Sequence, residues 1–163
     1  MEAISPPHGV ESGPIKALRA AVLFIFALGV VGTGAELVLL EHTEDLWQWV
    51  PLVLMAVSAI VLVWLVTVGG RASLRAFQAI NALFVVSGFV GLFLHYRGNV
   101  EFEMEMYPTL SGLKLFWEAI TGATPALAPG TMLQLGLLGL AFTYNHPDST
   151  ARRTDDRDKG ALQ

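Results

Sequence analysis

The sequence predicts an all-α integral membrane protein: four transmembrane helices in up-down-up-down order, with a short amphipathic helix in the outer loop between the third and fourth. Three observations predict it. The 163-residue chain is 53% hydrophobic and only 15% charged, where an ordinary soluble domain carries roughly 25% charged residues. Its apolar residues gather into four runs close to the ~20 residues that a helix needs to cross a ~30 Å hydrocarbon core. The basic residues alternate with those runs, as the positive-inside rule requires of a multi-pass chain.

The N-terminal segment 1–14 contains Pro6, Pro7, Gly9, Gly13 and Pro14 and reads as a flexible, cytoplasmic end. The membrane domain occupies 15–147, with spans at about 17–40, 47–68, 74–96 and 127–144. None has Asp, Lys or Arg in its central part. A helix is the element expected of each, because lipid offers the backbone no hydrogen-bond partner. The first run resembles a secretory signal in its opening, with Lys16 and Arg19 ahead of an apolar stretch and Gly32-Thr33-Gly34-Ala35 behind it. The run then resumes with Leu37-Val38-Leu39-Leu40, which makes it long enough to span.

Lys16, Arg19, Arg71, Arg75, Arg152, Arg153, Arg157 and Lys159 fall on one side of the spans, and only Arg97 and Lys114 on the other. Both termini are therefore expected in the cytoplasm, in a plasma (inner) membrane. The outer side collects Glu41, Glu44, Asp45, Glu101, Glu103, Glu105 and Glu118. Trp47, Trp49, Tyr96 and Trp117 fit an interfacial aromatic belt there, and Tyr144 one on the inner side. The tail 148–163 is polar and of mixed charge.

The outer loop, 97–126, is too long to be a bare connector. Residues 108–121 carry Leu110, Leu113, Phe116, Trp117 and Ile120 at helical spacing, with Gly122 behind as a C-cap, the pattern of a helix lying in the membrane interface. Ahead of it, residues 100–107 alternate apolar and acidic with period two, a strand-like signature.

Composition excludes several classes of function. With no cysteine, disulfides, thiolate metal sites, iron–sulfur clusters and cysteine nucleophiles are ruled out. A net charge of -4 argues against nucleic acid as a partner. No phosphate-binding loop, dinucleotide fingerprint or serine elbow is present, so no catalytic residues are assigned. Ser58, Gln78, Asn81 and Gln134 are the polar side chains available to a proton wire or pore, too few for a channel built from one copy.

The informative exceptions are small and ionisable residues inside spans. Gly29, Gly32 and Glu36 share one face of the first helix; Asn81, Phe84, Gly88, Gly91 and His95 share one face of the third. Gly29, Gly32, Gly88, Gly91, Gly136 and Gly139 are expected at close helix contacts. Glu36 and His95 each follow a GxxG pair by four residues, at an offset of 59, a weak sign of a duplicated hairpin. The matched depth places Glu36, His95 and Asn81 in one buried polar network. Glu36, His42 and His95 are also the candidate ligands for a divalent metal, and the two histidines for a haem; no diagnostic ligand spacing supports either. Met104 and Met106 are too few thioethers to specify copper.

The function expected from these features is that of an accessory or scaffolding subunit of a larger membrane complex, with respiratory and photosynthetic assemblies as candidates. Its partners are then the lipid bilayer and other subunits or further copies of itself. A metal- or haem-binding membrane protein is the alternative, and a small transporter the third reading.

Overall fold

In a computed structural model the chain is described over residues 13–122 and 128–148. Flexible ends are expected at 1–14 and 148–163; of these, 1–12 and 149–163 lie outside the described residues, as does part of the outer loop at 123–127, while Gly13 and Pro14 open α1. Five helices follow one another: α1 (Gly13–Leu39), α2 (Leu46–Thr67), α3 (Gly70–Met106), α4 (Gly112–Thr121) and α5 (Gly130–Thr143). No strand occurs among the described residues.

Three of these helices, α1, α2 and α3, are long and apolar enough to cross a membrane. The fourth span expected at 127–144 is replaced by α5, of 14 residues. At 1.5 Å per residue it reaches about 21 Å, short of a ~30 Å core. Local chemistry sets both limits. Pro129 occupies the N-cap position, while Tyr144 turns to extended backbone and Asn145 takes φ 51°.

The strand-like stretch at 100–107 is helical and belongs to α3, which runs for 37 residues, about 55 Å. Glu and Met are good helix formers, and Arg97 pairs with Glu101 one turn on, Nε to Oε1 at 2.8 Å. Period-two alternation had no second strand to pair with, so propensity decided the outcome.

The helices form a ring in which α1 packs on α2, α2 on α3, α3 on α5 and α5 back on α1. Asp45 caps α2, its side chain accepting from the Gln48 N–H at 3.0 Å. The α2–α3 turn is tight enough to need Gly69 and Gly70 at φ 66° and 87°. The core is aromatic and lies in the half of the bundle nearest that turn. Phe26 of α1 meets Phe77 edge-on at 5.1 Å and stacks near Phe84 at 6.3 Å, and Phe77 meets Phe142 of α5 at 5.8 Å.

Close approach of α3 and α5 depends on glycine. A Cβ on Gly88 would lie 2.7 Å from the Leu133 backbone nitrogen, and one on Gly136 would lie 2.7 Å from the Asn81 carbonyl oxygen. One on Gly91 would lie 2.7 Å from Pro129, one on Gly139 would overlap the Asn81 side chain, and one on Gly29 would overlap Leu135. Gly32 departs from the expectation, with nothing within 4 Å of its Cβ position.

Candidate functional site

The closely packed core ends at Val30 on α1 and Met55 on α2. Beyond them, toward the α4 end, the α1–α2 hairpin and the α3–α5 pair part. The gap between them is a wedge-shaped cavity of about 730 Å³. Its walls are apolar, with Leu37, Leu54, Leu83, Val86, Val90 and Met132 among them, and polar groups gather toward its α4 end. Glu36, His42 and His95 line this one cavity together with Trp47. That combination of size, apolar wall and few polar groups is the usual make-up of a small-molecule site.

His42 is positioned by the end of α1. The His42 N–H donates to the Leu37 carbonyl at 3.0 Å and the Glu41 N–H to the Val38 carbonyl at 3.1 Å, while Glu41 takes φ 52°. This is a Schellman motif with glutamate in the left-handed position that glycine usually fills. The turn is braced by Trp49, whose indole Nε1 donates to the Thr43 carbonyl at 3.1 Å. Glu36 stands one turn before the helix end and is exposed; His42 and His95 are half-buried. Opposite them in sequence, Pro51 sits inside α2 and has no N–H to give to the Trp47 carbonyl, so that acceptor lacks its helical donor.

Sharing a cavity is not the same as sharing a metal. No group of three His, Asp or Glu side chains that would hold a metal ion occurs among the described residues, and Glu36, His42 and His95 form no such set. Asn81 does not join Glu36 and His95. It precedes His95 by 14 positions on α3, about 21 Å along the axis. Fully buried at the α5 interface, it donates from Nδ2 to the Phe77 carbonyl at 2.7 Å, and its Oδ1 has no hydrogen-bond partner among the described residues.

A second feature lies past the cavity. The last turns of α3 project beyond the ring, and α4 folds back on them. The junction is made by Asn99, which is buried and donates from Nδ2 to the Ala119 carbonyl at 2.8 Å, and by Tyr96 against Phe116, ring centres 5.9 Å apart. Ala119 is fully buried there. The rest of the arm is open: Phe102, Met104, Met106, Tyr107, Leu113 and Trp117 are exposed, among Glu101, Glu103 and Glu105. Gly122 is the C-cap of α4, as expected, with extended backbone.

The opposite end holds groups whose roles the sequence did not disclose. The Arg19 guanidinium on α1 donates to the carbonyls of Phe142, Tyr144 and Asn145, closing the C-terminal end of α5. Asp148 accepts from the Gly70 N–H through Oδ2 and from Arg71 Nε through its carbonyl, both at 3.1 Å, tying the chain after α5 to the start of α3. Arg19, just ahead of the apolar stretch of α1, is the only trace of this clamp in the sequence. Its partners are 123 and more residues away.

No protein-family model matches the chain, and no curated protein or solved structure matches it either.

Proposed function

We propose that the protein is a multi-pass membrane protein of the plasma (inner) membrane, with both termini cytoplasmic, acting as an accessory or scaffolding subunit of a larger membrane assembly. The observation that carries this reading is the arm formed by the end of α3 and α4. It exposes aromatic and methionine side chains among glutamates, and its two helices are joined by the buried Asn99. Exposed apolar groups gathered on one element are the composition of a docking surface, and the surrounding carboxylates suit electrostatic steering of a basic partner. The three long apolar helices support the membrane setting, and the one-sided basic residues support the orientation.

The test is site-specific photocrosslinking in the native cell. A photoreactive residue replacing Met104 or Tyr107 is expected to yield one discrete protein adduct. The same residue at Phe24, on the apolar face of α1, is expected to yield lipid adducts. Lipid or no adducts from both arm positions would refute the reading.

A second reading, a metal or haem protein, is favoured by one observation: Glu36, His42 and His95 line the same cavity. Metal analysis and an absorption spectrum of purified protein decide it. A stoichiometric metal or a Soret band that disappears with His95→Ala would place the cofactor reading first.

A further inference from the structure

We propose that the wedge between the two helix pairs binds one single-chain amphiphile with a protonated amine head, its tail between α2 and α3 and its head at Glu36 and Trp47. This goes beyond the scaffolding role and is independent of it. Three observations specify the ligand. The cavity volume of about 730 Å³ falls within the ~300–1,000 Å³ of small-molecule sites. Its depth is mostly hydrocarbon: Leu54 on α2, Leu83 and Val86 on α3 and Met132 on α5 leave a polar group only the hydroxyls of Thr33, Ser87 and Thr131. A tail therefore belongs inside and a head at the α4 end.

The head is specified by the charge and acceptors at that end. Glu36 brings a carboxylate, and no Lys or Arg lines the cavity among the described residues. A phosphate, sulfate or carboxylate head would thus meet a negative charge with no compensating cation. An ammonium head would meet the Glu36 carboxylate and the Trp47 side chain, which line the same cavity. Carboxylate with an aromatic ring is the usual recognition of an organic cation. His42 and His95 complete the polar rim of the cavity.

The experiment uses the full chain in phosphatidylcholine nanodiscs with three probes sharing one diazirine-bearing decyl tail and ending in an amine, an alcohol or a carboxylate. Adducts are mapped by mass spectrometry. The amine is expected to label residues 50–54 and 83–90 about tenfold more than the carboxylate does. Glu36→Gln is expected to bring the amine down to the level of the alcohol, and Val86→Trp, which fills the wedge, to remove labelling there while leaving labelling at Phe24 and Ile25 unchanged. Equal labelling by amine and carboxylate, wedge labelling no stronger than that at Phe24 and Ile25, or wedge labelling that survives Val86→Trp would overturn the proposal. If Val86→Trp does not fold, the amine-to-alcohol ratio in Glu36→Gln still decides, because Glu36 is exposed and the change is nearly isosteric.

Discussion

The Asn81 carboxamide occupies the space that a side chain at Gly139 would need. One helix supplies a buried polar group and the facing helix supplies the absence of a side chain, and this pair sets how near α5 can approach α3. Gly139→Ala is therefore expected to destabilise the fold by about 1–3 kcal/mol, the cost of overpacking a dense interface. Asn81→Ala loses the bond to the Phe77 carbonyl but also removes an Oδ1 that has no partner among the described residues, so its cost is expected to be smaller. The double variant is the decisive measurement. Removing the carboxamide makes room for the methyl group, so it should be more stable than Gly139→Ala alone. Additive losses in thermal unfolding would show that the two residues are not coupled.

The clamp on α5 makes a second prediction. Arg19 supplies donors to three carbonyls at the end of a helix too short to anchor itself. Arg19→Met keeps the apolar stem and removes every donor, which should cost about 1–3 kcal/mol through unsatisfied carbonyls. Arg19→Lys should recover only part, since an ammonium lacks the planar fork that bridges several acceptors. Amide exchange in α5 is the readout; equal protection in Arg19→Met and the parent chain would refute the clamp.

How much of this was legible in the sequence depended on the range of the interaction. The three long apolar helices follow from hydropathy and composition alone, while the outer-loop helix that the spacing of Leu110, Leu113, Phe116, Trp117 and Ile120 places at 108–121 begins only at Gly112. Gly88, Gly91, Gly136 and Gly139 were recognisable by their spacing, although only the three-dimensional pairing distinguishes them from Gly32, which meets nothing. The alternation at 100–107 misled because period two records a pattern and not a partner; without a neighbouring strand, Glu, Met and the Arg97–Glu101 pair kept the helix going. The shared helix face points Asn81 to the wrong neighbours for a metrical reason. A shared helix face says nothing about depth, and 14 positions separate it from His95 by about 21 Å. The wedge was invisible because it arises from the parting of two helix pairs, which no single segment encodes.

The turn that presents His42 is strained at a known place. Glu41 takes φ 52°, a conformation that costs an L-residue roughly 1 kcal/mol and costs glycine little. Glu41→Gly is expected to raise stability by a few tenths to about 1 kcal/mol, and Glu41→Val to lower it by more than 1 kcal/mol, because a β-branched residue fits this region worst. Thermal unfolding of the two variants checks the order; a destabilising glycine would mean that the Glu41 side chain contributes more than its backbone strain costs.

The proposed orientation rests on the division of basic residues between the two sides of the spans. A reporter fused after Gln163 is expected to read the cytoplasm, and one inserted at Gly112 the opposite compartment. The arm and its glutamates would then face outward. Arg71→Glu together with Arg75→Glu should weaken or invert the orientation. A cytoplasmic signal from the Gly112 insertion in the parent chain would overturn it.

Asn99 carries the last prediction, because it makes the buried hydrogen bond between the two helices of the arm. Its amide donates to the Ala119 carbonyl from a site that is 2% exposed, and it also crowds Gly122, whose Cβ would lie 3.3 Å from the carboxamide. Asn99→Ala removes the donor and leaves a buried carbonyl unsatisfied, a loss of about 1–3 kcal/mol confined to the docking of α4. Asn99→Asp should be worse despite its nearly identical shape: it replaces the amide donor with a second oxygen facing the Ala119 carbonyl and places a carboxyl group in a buried site. The readout is amide exchange in 112–121, expected to accelerate in the order parent, Asn99→Ala, Asn99→Asp while the core of α3 around Phe77 and Phe84 stays protected. Under the scaffolding reading, the crosslink from Met104 or Tyr107 should weaken in the same order. If Asn99→Asp leaves α4 as protected as in the parent, the Tyr96–Phe116 contact and the burial of Ala119 hold the arm without the hydrogen bond, and the polar lock is not what fixes its position.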